Sequence, residues 1–391
     1  MIKIPGFLGS GISCGIKKRG KKDLALLFSE TPAKAAGLFT TNVVKAPPVV
    51  LGMERIKGGY CQAVLINSGI ANAFTGPAGM KAAVQTSRDL AQGLGITEDL
   101  VIPSSTGLIG GPLPTDKIKK AVPELVSELR EDGILDAAEA IMTTDAFPKY
   151  ASVNVTIGGS KGTVAVIGKG AGMIMPNMAT MLAYIMTDIN VGKRALSKLL
   201  TDSNGNSFNK IIVDGDTSTN DTVLLLANGK LGNKAVDGGK DYQKLLGAVT
   251  EAASEVAHMI VKDGEGATKV VKIIVKGAKT EKDAEAVART IGTSLLVKSA
   301  LFGEDPNWGR IVAAAGRAGV DFNPDKLDLF FADHKVISNS KEVMDEALAL
   351  EVMKTPSFSI TLDLKSGKKS SFVVTSDITF EYLKINAHYR T

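Results

Sequence analysis

Side chains able to act as nucleophiles in an apolar setting are few in this chain, and the most suggestive is a threonine. The stretch Gly168-Lys-Gly-Ala-Gly-Met-Ile-Met-Pro-Asn-Met-Ala179-Thr180-Met-Leu-Ala183 holds one charge, Lys169, and a single hydroxyl, Thr180, behind the small residue Ala179. A buried threonine is ordinarily a satisfied core residue. Here, however, glycines let the backbone turn tightly, Pro176 fixes one φ angle, and an apolar run from Met181 to Met186 follows at once. The pattern describes a loop that delivers a threonine to the start of a buried strand. If the Ala179–Thr180 bond breaks, the freed α-amino group becomes a base beside the Thr180 hydroxyl.

Other chemistries find less support. The histidines, His258, His334 and His388, have no obvious serine or cysteine partner near them in sequence. Cys14 and Cys61 lie far apart without zinc-type spacing, so neither a metal site nor a disulfide framework is expected. Gly168-x-Gly-x-Gly172 lacks the Gly-Lys-Ser/Thr of a phosphate loop and the spacing of a dinucleotide fingerprint. Its glycines are better explained by close backbone approach around a substrate or around Thr180.

Four polar clusters interrupt apolar surroundings. Asn67-Ser68-Gly69 follows the run Ala63–Ile66, and Pro103-Ser-Ser-Thr106-Gly107 follows Leu100–Ile102. A threonine hydroxyl and the next backbone amide suit an oxyanion hole, although by sequence alone an ordinary hydroxyl-capped turn is the more common explanation. Asp214-Gly-Asp-Thr-Ser-Thr-Asn-Asp221 lacks the order of a calcium loop. Asp263-Gly264-Glu265-Gly266 reads either as a helix C-cap or as a carboxylate held for an amine.

The elements that position these residues alternate irregularly. Helical periodicity covers 78–94, 115–131, 134–142, 193–204 and 241–262, and Thr280-Glu-Lys-Asp283 caps another helix. Tyr150–Ile157 and Thr163–Ile167 read as a hairpin around Gly158-Gly159. Strands are expected near 210–214, 222–227 and 269–276, with a second hairpin of Ser357–Leu364 and Ser370–Thr375 turning at Ser366-Gly367. The expected fold is α/β in the α+β sense, layered, rather than an open parallel sheet. At 391 residues two lobes are expected, and 22% charged with 44% apolar residues gives no indication of disorder. The basic cluster Lys17-Lys18-Arg19-Gly20-Lys21-Lys22 has no interleaved aromatics, so a solvated turn is expected and no nucleic-acid partner. No apolar run approaches membrane-spanning length. Without a secretory h-region, and with two unpaired cysteines, the chain is expected in the cytoplasm.

Ordered motifs carry a family resemblance. Besides Lys169 to Ala183 they are Gly15-Ile-Lys-Lys, Ala36-Gly-Leu-Phe-Thr-Thr-Asn42, Asn67-Ser-Gly, Ser105-Thr-Gly107, Ile141-Met-Thr-Thr-Asp145 and Asp214 to Asp221. Further on come Glu265-Gly-Ala-Thr-Lys269, Phe302-Gly-Glu-Asp-Pro-Asn-Trp-Gly-Arg310 and Ile385-Asn-Ala-His-Tyr-Arg-Thr391. Over essentially its whole length the chain resembles the ornithine acetyltransferases (glutamate N-acetyltransferases) of arginine biosynthesis. The resemblance implies a layered α/β sandwich shared with self-processing aminopeptidases, self-cleavage before Thr180, and acetyl transfer from N-acetylornithine to glutamate. It makes Thr180 the nucleophile and Thr106 with Gly107 the oxyanion hole. It assigns substrate contacts to Lys169, Thr180, Glu265, Asn386, Thr391 and one of Thr143 and Thr144.

The expected products of cleavage are an α chain, 1–179, and a β chain, 180–391, associated as two α and two β chains. No cofactor is expected, and whether acetyl-CoA also serves as donor stays open. Two positions depart from the family's common residues, Ile70 for asparagine and Phe74 for cysteine. The rival readings are a self-processing aminopeptidase and a catalytically silent binding protein of the same fold.

Overall fold

The computed structural model describes residues 2–18, 20–175 and 181–388. The chain forms two compact units, Met1–Asn209 with Asp216–Ile260, and Lys210–Gly215 with Val261–Thr391. In chain order come β1 (Phe7–Ile12), β2 (Leu24–Phe39), α1 (Pro47–Arg55), β3 (Tyr60–Ile70), α2 (Gly76–Leu94) and β4 (Val101–Leu108). Next are α3 (Thr115–Ser127), α4 (Ile134–Ala140), β5 (Lys149–Ile157), β6 (Ser160–Lys169), β7 (Leu182–Thr187) and α5 (Lys193–Gly205). The two-residue β8 (Ile211–Ile212) belongs to the second unit, and β9 (Thr222–Ala227) and most of α6 (Gly239–Lys262) to the first.

Strands of the first unit pair in the order β4-β3-β2-β9-β7-β6-β5, with β1 also on β2. Leu24–Ser29 of β2 pairs with β1 and Lys34–Phe39 with β9. The register with β3 shifts between Phe28 and Ala33, where Pro32 has no N–H to give to a ladder. Leu24 and Leu26 share one buried cluster with Leu65, Leu90 and Val122, while Ala25 and Leu27 share another with Val64, Ile66 and Ile134. Both faces of the sheet are therefore covered, which is why Leu24–Phe28 is an unbroken apolar run. Burying each such leucine stabilises the fold by about 1.5–3 kcal/mol.

Most expected helices and the Gly158-Gly159 hairpin are present. The helix expected over 115–131 stops at Ser127, because Arg130 instead exchanges two backbone hydrogen bonds with Gly9 of β1, at 2.9 and 3.1 Å.

The second unit contains β10 (Val270–Ala278), α7 (Glu281–Gly292), α8 (Leu295–Phe302), α9 (Trp308–Gly316), β11 (Asp328–Phe331) and β12 (His334–Ser338). It continues with β13 (Lys341–Glu342), α10 (Glu346–Lys354), β14 (Ser357–Asp363), β15 (Lys369–Ser376) and α11 (Phe380–Ala387). The Thr280–Asp283 capping box forms as expected. The strand expected over 210–214 shrinks to β8, parallel to Val374 and Thr375. The second hairpin is corrected more deeply, since β14 and β15 do not pair with each other. They flank β10, parallel on one side and antiparallel on the other. The connection spends its backbone hydrogen bonds on the end of β10, Leu364 N–H to Lys276 O at 2.9 Å and Ser366 N–H to Gly277 O at 2.7 Å. It therefore steps over that strand instead of closing a tight turn. Each unit layers helices on a mixed sheet, as the α/β expectation of two lobes required.

Candidate active site

Thr106 and Gly107 lie near the end of β4, with Ser68 and Gly69 of β3 opposite them. Gly107 has φ 127°, and a Cβ there would lie 2.3 Å from the Gly69 carbonyl carbon. Only glycine fits that conformation at that separation. Ser105 Oγ donates to Asn67 Oδ1 at 2.6 Å, and Asn220 Nδ2 donates to the carbonyls of Ala71 at 2.6 Å and Ser105 at 2.9 Å. These bonds brace the strand end, so the buried Thr106 hydroxyl is carried on fixed backbone.

Lys169, the last residue of β6, brings two further segments to Thr106. Its Nζ donates to Thr143 Oγ1 at 2.8 Å and to Thr106 Oγ1 at 3.2 Å. Because the Thr106 oxygen accepts from the ammonium, its own O–H is left to donate elsewhere. Of the Thr143-Thr144 pair, Thr143 is the one whose hydroxyl Lys169 reaches; Thr144 lies half-buried beside it. Lys17 Nζ donates to Met142 O at 2.7 Å and Ser68 Oγ to Ala140 O at 2.5 Å, which steadies the approach to Thr143.

Behind these hydroxyls lies a carboxylate with no side-chain exposure. Asp145 accepts from Lys149 Nζ at 2.7 Å, Gly170 N–H at 2.8 Å and Thr143 N–H at 2.9 Å. Burial alone would push its pKa up, but the ammonium groups of Lys169 and Lys149 outweigh it and hold the carboxyl well below the usual range.

In the second unit the structure brings Glu265 and Asn386 together, Asn386 Nδ2 donating to Glu265 Oε2 at 2.8 Å and to Tyr382 O at 3.0 Å. Their meeting depends on Gly266, at φ 68°, where a Cβ would lie 2.7 Å from Tyr382 N. Thr379 caps α11 through Tyr382 N–H and donates to Gly266 O at 2.8 Å. α6 stops at Lys262, so Glu265 lies just past a helix end and also meets Asn386. Thr180, Ala179 and Thr391, and with them the expected cleavage site, lie outside the described residues. β7 begins two residues after Thr180, and its Leu182 pairs with Lys169.

The thiol alternatives weaken further. Burial pushes the thiols of Cys61 and, with Asp23 adding to it, Cys14 up to about 12, so neither supplies thiolate at neutral pH. Sequence reading missed Asp145 as a hub and the bracing Asn220. The spacing of Asp145 and Lys149 was the available signal for an ion pair. A separate cavity of about 560 Å3 is lined by Asn72, Thr75, Lys81, Gln85, Gly110 and Leu113, among others; none of the candidate residues, nor Ile70 or Phe74, lines it.

Comparison with known proteins follows the same residues end to end. Residues 9–391 match the model of the ArgJ family. The chain is 46% identical over 393 residues to the arginine biosynthesis bifunctional protein ArgJ of Geobacter sulfurreducens, covering 100% of both chains. It is 47% identical over 394 residues to the protein of the same name from Thermotoga neapolitana, covering 99% of each. Among solved structures it is similar to the ornithine acetyltransferase of Mycobacterium tuberculosis complexed with ornithine, at 39% identity and a TM-score of 0.40, covering 45% of this chain and 94% of that one. A match that runs from the first strand to the last residue at nearly half identity admits one conclusion: the chain belongs to the ArgJ family.

Proposed function

We propose that the chain moves an acetyl group from N-acetylornithine to glutamate through an ester on Thr180, after cutting itself between Ala179 and Thr180. The Lys169 ammonium bridging the Thr106 and Thr143 hydroxyls is the observation that carries this reading. Thr180 Oγ attacks the acetyl carbonyl carbon while its α-amino group takes the hydroxyl proton. The tetrahedral oxyanion meets Thr106 O–H and Gly107 N–H, each donor being worth about 3–4 kcal/mol in acyl-transfer sites. The carbon–nitrogen bond then breaks, the proton passes to the leaving amine, and ornithine departs. The amine of glutamate attacks the ester carbon and frees Thr180 as N-acetylglutamate forms. Lys169 suits a substrate carboxylate, and Glu265, held by Asn386, suits an ammonium group. Thr143, not Thr144, is the proposed neighbour of the substrate, and Thr391 is proposed to add to its binding.

Relatives that match over their whole length are named bifunctional, which supports acetyl-CoA as a second acetyl donor. The chemistry as written needs no cofactor. The two fragments, 1–179 and 180–391, are proposed to remain associated as two α and two β chains in the cytoplasm; no helix among the described residues is long and apolar enough to cross a membrane. The test is kinetic and covalent together. Thr180→Ala should remain one chain on a denaturing gel, and wild type should give parallel double-reciprocal lines with an acetyl adduct on the C-terminal fragment. Intersecting lines without an adduct would replace the ester with direct transfer, and net hydrolysis without transfer would favour the aminopeptidase.

A further inference from the structure

We propose that Asp145 is a positioning residue of this reaction, holding the backbone N–H groups of Thr143 and Gly170 and thereby fixing Lys169 between the Thr106 and Thr143 hydroxyls. It rests on the reading above, in which Thr106 meets the oxyanion. One oxygen of Asp145 receives both Lys149 Nζ and Gly170 N–H, and the other receives Thr143 N–H. Gly170 is the residue after Lys169, so its bond fixes the backbone from which the lysine springs. Thr143 N–H belongs to the residue whose hydroxyl takes the other end of that lysine. One carboxylate therefore sets both the root and the landing point of a long, flexible side chain.

An ion pair between Asp145 and Lys149, both without side-chain exposure, is weak grounds for stability, because desolvation offsets most of the attraction. A purely structural pair would also need no bonds to the two site segments. The Lys169 ammonium, once placed, accepts nothing and only donates. It keeps the Thr106 oxygen occupied as an acceptor and its proton directed to the substrate. Displacing the ammonium frees the Thr106 hydroxyl to rotate, which removes an interaction formed in the transition state and so lowers kcat.

Three full-length variants test this, Asp145→Asn, Lys149→Met and the double Asp145→Asn/Lys149→Met, which removes the buried pair without leaving an unpaired charge. Melting temperature, self-cleavage, kcat, KM and amide hydrogen exchange over 143–145 and 169–171 are measured for each. Asp145→Asn and the double variant should lose about tenfold to a hundredfold in kcat, the scale of a misplaced catalytic group. Lys149→Met keeps the Thr143 and Gly170 bonds and should retain kcat within about threefold. Exchange at both segments should rise in the two Asp145 variants and stay near wild type in Lys149→Met. Equal kcat losses in the two single variants, wild-type kcat in a folded double variant, or unchanged exchange in Asp145→Asn would each overturn the inference. The exchange arm decides it even if wild type transfers no acetyl group, a result that would overturn the reading of function instead.

Discussion

Replacing Thr106 by valine keeps the β-branched shape of a buried strand residue and deletes one oxygen. That oxygen accepts from Lys169 Nζ at 3.2 Å, and the same ammonium keeps Thr143 Oγ1 at 2.8 Å. The folding cost is therefore one hydrogen bond with its charged partner still satisfied, about 1 kcal/mol. The catalytic cost is larger, because the hydroxyl would meet charge that exists only in the transition state. Loss of one oxyanion donor lowers kcat by about a hundredfold to a thousandfold. Gly107 N–H remains, so activity should fall without vanishing. KM should move by less than about threefold, since Lys169 stays in place. The assay follows N-acetylglutamate formation at saturating N-acetylornithine, with a thermal melt to confirm folding. Thr106→Ser, which restores the donor, should recover most of the rate. A kcat within about twofold of wild type in Thr106→Val, or a loss confined to KM, would refute an oxyanion role for this hydroxyl.

Two further outcomes are expected. Asn386→Ala releases the 2.8 Å bond to Glu265 and should lower kcat/KM by about tenfold to a hundredfold, the loss of a hydrogen bond to a charged group; self-cleavage should be untouched, and wild-type kinetics would remove Asn386 from the site. Asp328 gives the second unit a pH dependence: burial would raise its pKa, but hydrogen bonds from Lys365, Asn339 N–H and Lys335 lower it from 3.8 to about 2. Between those values the unfolded chain binds more protons than the native one, so the stabilisation is complete above pH 3.8 and is lost as pH falls through about 2. Asp328→Asn should flatten the acid slope of urea stability in that window, and an unchanged slope would show that the carboxylate is not linked to folding.

What the sequence made legible was local. Alternation around Gly158-Gly159 and the capping residues Thr280 and Asp283 act within a few residues, and both appear where expected. What it concealed was set by partners distant along the chain. Arg130 leaves its helix for Gly9, and β10 inserts between β14 and β15. At the site, motif resemblance named Thr106, Lys169 and the Thr143-Thr144 pair, yet spacing could not choose within the pair. What favours Thr143 in the proposal is a lysine 26 positions further on that reaches its hydroxyl. Asp145 stayed hidden because a buried carboxylate looks like any surface aspartate until its donors are known.

Severing the chain before Thr180 would give β1 to β6 to one polypeptide and β7 and β9 to the other. In the sheet, β9 and β7 lie between β2 and β6, so the second polypeptide is threaded through the middle of the first. Pulling them apart means opening both the β2–β9 and the β6–β7 ladders, each with six registered pairs. Such a cut would therefore not release a fragment; it would change the molecularity of folding. Before it, the sheet assembles in a first-order search within one chain. After it, reassembly is second order, and a denatured solution of the severed protein recovers at a rate that depends on its concentration. The working enzyme would be maintained by its unfolding barrier rather than by ready renewal.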